Sequence, residues 1–367
     1  MPLKERLSGF YHNVVLPNTG VLLLLVAHFF NSIMIVTCKL LETDPQTKDH
    51  PIHPLQILFV RMFITYLLCL AYMLVTRLVD QAPFGPRDQR VLLVLRGILG
   101  FFGVYGLYFS LQYLSLSDAV SITFLIPMVT PFFAWIVLGE RYSVLEAVCA
   151  FLSLGGVLLV AKPEFLFGPR PDTDKADDAT ESSSTELRLL GTGVGLIGVC
   201  GAAAVYILLR KIGKLAHPLI LVSYFALTTC IVTFVSTLVL PTVLFAVPRS
   251  GYQWFLFGLI GVSGFLMQFC LTAGLQREKA GKSSLMIYST MVYALFWDLA
   301  IWGHLPGLLS MLGTGLIVLN ATIVIKYKPS AGPEPVEGDV ESSPAGYHKP
   351  GDIALDDFIV TDDDESS

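Results

Sequence analysis

Ten apolar runs follow one another along this chain, separated by polar breaks. They cover residues 19–41, 54–78, 91–113, 118–138, 143–162, 189–211, 217–245, 253–275, 280–302 and 305–326. A membrane-spanning helix needs about 20 predominantly apolar residues, so each run predicts one span. Some breaks are very short, namely Ser115 to Asp118, Gly139 to Tyr142, and Gly303-His304. Helices joined by so few residues lie antiparallel and in contact. The fourth run carries Pro127 and Pro131, one turn apart, near its middle. Each proline lacks the amide that would bond four residues back, which frees the carbonyls of Thr123 and Pro127. In hydrocarbon those carbonyls need other partners. The fourth helix is therefore expected to face protein or a wet cavity, with Pro127 and Pro131 as kink or gating positions.

Composition agrees with the pattern. Of 367 residues, 54% are hydrophobic and 14% charged, with mean hydropathy +0.66; a soluble domain has about a quarter charged residues. The net charge of −5 hides a division, because residues 163–188 and 327–367 hold 18 of the 29 acidic residues but 5 of the 24 Lys and Arg. The acidity belongs to those two segments, and the apolar body is basic. Placing the N-terminus in the cytosol puts 14 Lys and Arg at cytosolic ends and short loops, against seven on the other side. The positive-inside rule thus predicts both termini in the cytosol, as an even helix count requires. Loop 163–188 is then non-cytosolic and, like the tail, disordered by composition. The first apolar run is too long for a cleavable signal core. All six cysteines fall inside apolar runs and read as packing residues.

The two halves echo each other. Thr19-Gly20-Val21 recurs as Thr192-Gly193-Val194, and His53-Pro54-Leu55 as His217-Pro218-Leu219. Gly97, Gly100 and Gly103 match Gly258, Gly261 and Gly264, and Ala119 matches Ala280, at a common spacing. Each half has five predicted helices, an odd number, so the second copy enters the membrane from the opposite side. The predicted fold is an all-α multi-pass membrane protein of ten helices in two inverted five-helix repeats. Its parts are a cytosolic lead (1–18), repeat one (19–162), an acidic linker (163–188), repeat two (189–326) and an acidic cytosolic tail (327–367). The glycines, three apart, suit close helix packing. Gly193 to Gly198 also spells GxGxxG, but inside an apolar helix with no strand before it, which argues against a nucleotide fold. No P-loop is present to couple transport to ATP.

The block SDAVSITFLIPMVTPFFAWIVLGERYS followed by LLVAKPEFLFG resembles the drug/metabolite transporter superfamily, EamA-like branch, and within it the solute carrier family 35 group G-like proteins. The likeness runs over roughly residues 19 to 327. It implies ten helices in two halves and transport of a small molecule, and leaves the substrate open. The Gly303-His304 ending of the second half departs from the family's usual Gly-Glu.

Charges at membrane depth are costly and mark functional positions. Arg61 lies about 10 Å into the second helix, and its counterpart at the His-Pro-Leu register is Phe225. Arg96, Lys39 and Lys282 add cations nearer helix ends. Asp298 is the main intramembrane acid, either a partner for Arg61 or a proton-coupling carboxylate. Tyr105, Tyr108, Gln112, Gln268, Tyr288 and Tyr293 could bond to a substrate, and His28 and Asn31 share a face of the first helix. Glu140 reads as structural, paired with nearby basic loops. The four cations favour an organic anion, carboxylate or phosphate, bound near the midplane between the repeats and carried by alternating access. The alternative is a non-transporting scaffold that acts through its acidic tail or loop. An enzyme is not expected, nor a cofactor, metal or nucleic-acid partner. The partners are a small-molecule substrate and membrane lipid, with a homodimer left open. The resident membrane, endomembrane or plasma membrane, is undecided.

Overall fold

Large apolar side chains cover the outside of the molecule while polar ones lie within it. Val75, Ile136, Phe151, Ile197 and Phe255 are exposed, whereas His28, Arg61, Arg96, Gln268 and Lys282 are buried. That is the reverse of a soluble protein and suits a bundle solvated by lipid.

The computed structural model describes residues 18–42, 52, 54–76, 79, 81–110, 113, 122–140, 143–161, 185–239, 247–303 and 308–327. The expected disorder of the acidic tail and of the linker as far as residue 184 falls outside them. The helices are α1 (Thr19–Glu42), α2 (Pro54–Thr76), α3 (Arg90–Ser110), α4 (Ile126–Leu138), α5 (Val144–Ala161), α6 (Thr185–Ile212), α7 (Pro218–Val239), α8 (Gly251–Leu275), α9 (Ala280–Leu285), α10 (Ser289–Trp302) and α11 (Leu308–Tyr327). A 3-10 turn, Met286–Tyr288, joins α9 to α10. Among the described residues seven helical stretches are long and apolar enough to cross a membrane, and Ile126–Leu138, Ala147–Leu159 and Met311–Val324 are shorter apolar helices.

Two predicted spans are interrupted. α4 begins at Ile126, so Pro127 sits in its first turn, where a missing amide costs no hydrogen bond. The chain turns at Phe124 and Leu125, and the amides of Met128 and Val129 both bond to the Leu125 carbonyl. That leaves the Phe124 carbonyl over, and the Tyr288 hydroxyl donates to it at 3.1 Å. The ninth predicted span is broken too, at the 3-10 turn that contains Tyr288. The two interruptions therefore meet, and the rings of Phe124 and Tyr288 lie 6.1 Å apart. Gly139 and Gly303 each have φ +66° and end α4 and α10; the left-handed conformation there favours glycine.

The packing partners form a pattern. α1 packs on α8 and α3 on α6; α2 packs on α8 and α3 on α7; α1 packs on α10 and α4 on α6. α2 with α7, α4 with α9, and α5 with α11 complete the main contacts. Exchanging each helix for its counterpart in the other half returns the same set of pairs. The glycines fix the register of that exchange. Gly97 faces Thr228 and Gly261 faces Ile64; Gly100 faces Phe225 and Gly264 faces Arg61. Partners and glycines alike then stand 164 positions apart, the spacing of His53 and His217 and of Gly139 and Gly303. This corrects the glycine match expected above by one helical turn. Gly195 and Gly198 of the GxGxxG run pack against Ser110 and Gly106 of α3, a helix-packing role.

Candidate functional site

Arg96 of α3 is 2% exposed. Its Nη2 donates to Gln268 Oε1 of α8 at 3.3 Å, and its guanidinium carbon lies 4.4 Å from the centre of the Phe225 ring of α7. Gly100, one turn on, makes this possible, since a Cβ there would fall 2.6 Å from the ring and closer still to Arg96. Arg96 Nε has no hydrogen-bond partner. Tyr206 of α6 is near enough to interact with the charge. Arg61 of α2, 6% exposed, lies along Gly264, where a Cβ would come 2.9 Å from Nε. Gly264 and Gln268 are four residues apart on one face of α8, so that face gathers both arginines. A delocalised guanidinium held by an amide oxygen and an aromatic face keeps donors available for a carboxylate or phosphate oxygen.

The other predicted residues fall elsewhere. Lys282, buried in α9, pairs with Glu278 Oε2 at 3.4 Å, and Glu278 packs against Gly20 at the start of α1. The same end of the bundle holds Glu140, whose Oε1 pairs with Arg210 at 3.3 Å and whose Oε2 accepts from the Ala280 amide at 3.2 Å. Glu140 thus ties α4 to α6 and to the first turn of α9, the structural role expected of it. Lys39 is exposed in the last turn of α1. The Tyr288 hydroxyl is bonded to the carbonyls of Phe124 and Ala150. Pro127 and Pro131 are buried in α4. Tyr105 stacks on Phe101, and Tyr293 meets Phe29 edge-on. The side chains of Tyr108 and Asp298, and all of Gln112, lie outside the described residues.

Sequence reasoning passed over Glu278, His217 and Arg277. An acid and a base four apart, as in Glu278 and Lys282, is a readable helical signal, but here it straddles a loop and a helix start. His217 Nδ1 accepts from the Leu219 amide at 3.3 Å. Burial lowers its pKa, and the nearby Arg277 charge lowers it further; burial also lowers that of Arg277. Among the described residues no group of three or more His, Cys, Asp or Glu could hold a metal ion. A cavity of about 20 Å³ between α3, α4 and α6, lined by Ser110, Thr123 and Gly195 among others, has room for about one water.

Residues 18–162 and 189–326 both match the EamA-like transporter family. The chain belongs to that family. This EamA protein is 46% identical over 330 residues to "Probable transport protein YPL264C" of Saccharomyces cerevisiae, covering 89% of this chain and 93% of that one. It is 32% identical over 224 residues to human solute carrier family 35 member G1, covering 60% and 58%. It is 26% identical over 314 residues to the pseudopaline exporter CntI of Pseudomonas aeruginosa, covering 84% and 97%. A crystal structure 13% identical in sequence shares the fold, with a TM-score of 0.67 over 84% of this chain and 98% of the other. The EamA protein is an integral membrane protein, and the names of its relatives point to transport rather than to catalysis.

Proposed function

We propose that this EamA protein carries a small organic anion across the membrane by alternating access, between two five-helix halves inserted in opposite senses. The observation that carries the reading is Arg96, a buried guanidinium at membrane depth whose contacts are an amide oxygen and a ring. A buried cation so held is costly, and a substrate anion offsets that cost. Gln268 of α8, and Arg61 of α2 packed against Gly264 on that same α8 face, complete the anion site. The exchange pattern of helix pairs supports the two-fold relation of the halves. The paired interruptions at Phe124 and Tyr288, with Pro127 and Pro131 beside them, are the hinge. Lys39, Lys282, Asp298 and Tyr108 are secondary candidates along the path. Two relatives are named for transport or export, which favours the same class of activity here.

Uptake of labelled carboxylates and phosphate esters into proteoliposomes tests the proposal. Arg96→Met keeps the bulk and removes the charge. Losing a charged hydrogen bond of about 1.5–3 kcal/mol lowers anion affinity roughly 10- to 150-fold. Wild-type uptake by Arg96→Met refutes the anion site, and equal flux in Arg61→Ala removes Arg61 from it. A cytosolic reporter on each terminus and a glycosylation site in loop 163–188 test the orientation.

A further inference from the structure

α1 and α10 meet along a polar seam. His28 and Ser32, one turn apart on α1, face Thr290 and Trp297 on α10. His28 Nδ1 lies 3.2 Å from Thr290 Oγ1. Trp297 Nε1 donates to Ser32 Oγ at 3.0 Å, and the Ser32 hydroxyl donates to the Phe29 carbonyl at 2.6 Å. His28 is 6% exposed, and its Nε2 has no hydrogen-bond partner. It lies about 14 Å along a helix about 36 Å long, near half depth.

A neutral imidazole offers one donor and one acceptor. Thr290 takes up one of them and leaves the other unused, a state that persists at a closed seam but not in contact with water. We propose that His28 is a proton site built into this seam. The seam closes over the neutral ring, and Nε2 takes up a proton when α1 and α10 part. With Nδ1–H donating to Thr290 Oγ1, the Nε2 lone pair forms the new N–H bond, and release to water on the other side reverses it. The inference rests on the alternating-access reading above. An imidazolium shut in this seam adds a further buried cation to Arg61, Arg96 and Lys282, so it closes again only with an anion present. Proton and organic anion then cross together.

The ionisable groups on the elements around α1 are few among the described residues. α8 and its end carry Tyr252, Cys270, Arg277 and Glu278, the 3-10 turn carries Tyr288, and α10 carries Tyr293 and Asp298. α1 itself carries Cys38, Lys39 and Glu42. Glu278 is engaged with Lys282 and packs at Gly20, about 12 Å along α1 from His28. Asp298 stands about 12 Å along α10 from Thr290. The imidazole is the group at this depth suited to exchanging a proton near neutral pH.

The test uses the full chain in lipid nanodiscs, with Trp135, Trp254 and Trp302 changed to Phe so that Trp297 alone reports on the seam. Its emission is followed from about pH 8 to pH 4.5, alongside the ¹⁵N-histidine NMR spectrum of the unsubstituted protein. The expected result is one histidine resonance, absent in His28→Gln, that titrates within this range. Trp297 emission shifts to longer wavelength with the same midpoint, and that shift is lost in His28→Gln. A His28 resonance that stays neutral throughout overturns the proposal, as does one that titrates while Trp297 does not respond. Should the triple-Phe chain fail to fold, hydrogen exchange of the Trp297 indole N–H in the unsubstituted protein replaces its emission. Neither readout needs a substrate, so a failure here is distinct from a failure of anion uptake.

Discussion

Glu140 is the residue whose replacement tests the packing most directly. Its two oxygens accept from Arg210 Nε at 3.3 Å and from the Ala280 amide at 3.2 Å, with the two side chains 17% and 19% exposed. A hydrogen bond to a charged group contributes about 1.5–3 kcal/mol when dry, and partial exposure trims the Arg210 contact toward about 1 kcal/mol. A negative charge at a helix N-terminus adds about 0.3–1 kcal/mol. Glu140→Ala therefore costs about 3–5 kcal/mol. Glu140→Gln, which keeps an acceptor, costs about half as much. Denaturant and thermal unfolding of the detergent-solubilised protein, followed by tryptophan fluorescence, measure both. Adding Arg210→Met completes a double-mutant cycle, with an expected coupling of about 1 kcal/mol. If the two changes add within about 0.3 kcal/mol, or Glu140→Ala unfolds with the wild type, Glu140 does not hold α4, α6 and α9 together.

Gly106→Ala places a Cβ 2.5 Å from the Gly198 Cα, so α3 and α6 must separate at a cost of about 1–3 kcal/mol. Gly155→Ala meets nothing within 4 Å and should be neutral or stabilise by up to about 1 kcal/mol; equal unfolding midpoints for the two variants would count against close α3–α6 packing. His217 titrates lower folded than unfolded, so between those two values the unfolded chain binds more protons. Stability is fully present above the unfolded value of about 6.5 and falls as pH drops below it. Thermal midpoints measured between about pH 7.5 and pH 5 should decline less in His217→Asn than in the wild type. Gly264→Ala pushes on Arg61 and should weaken anion uptake in the proteoliposome assay while leaving expression unchanged.

Hydropathy located the apolar segments to within a few residues at most ends, because length and apolarity are set by the membrane itself. It missed the break at Met286–Tyr288, which contains neither proline nor glycine and lies inside an unbroken apolar run. The same continuity placed Pro127 in mid-helix, although α4 starts beside it. The glycine triplets slipped by one turn because glycines three apart match themselves when shifted by three. Arg61 and Arg96 stood out as charges in apolar runs. Their meeting on α8 depends on which helices pack together, and no local pattern records that. Glu278 was passed over because its burial comes from Gly20, more than 250 residues away in the chain.

The bond from Tyr288 to the Phe124 carbonyl also bears on biogenesis. While the ribosome is still making α5, the hydroxyl that will satisfy that carbonyl has not been synthesised. The first half must wait in the bilayer with an unmet polar group, at a cost of several kcal/mol, until the second arrives. Its final shape is thus set after insertion, and the two halves made as separate chains should seek each other out.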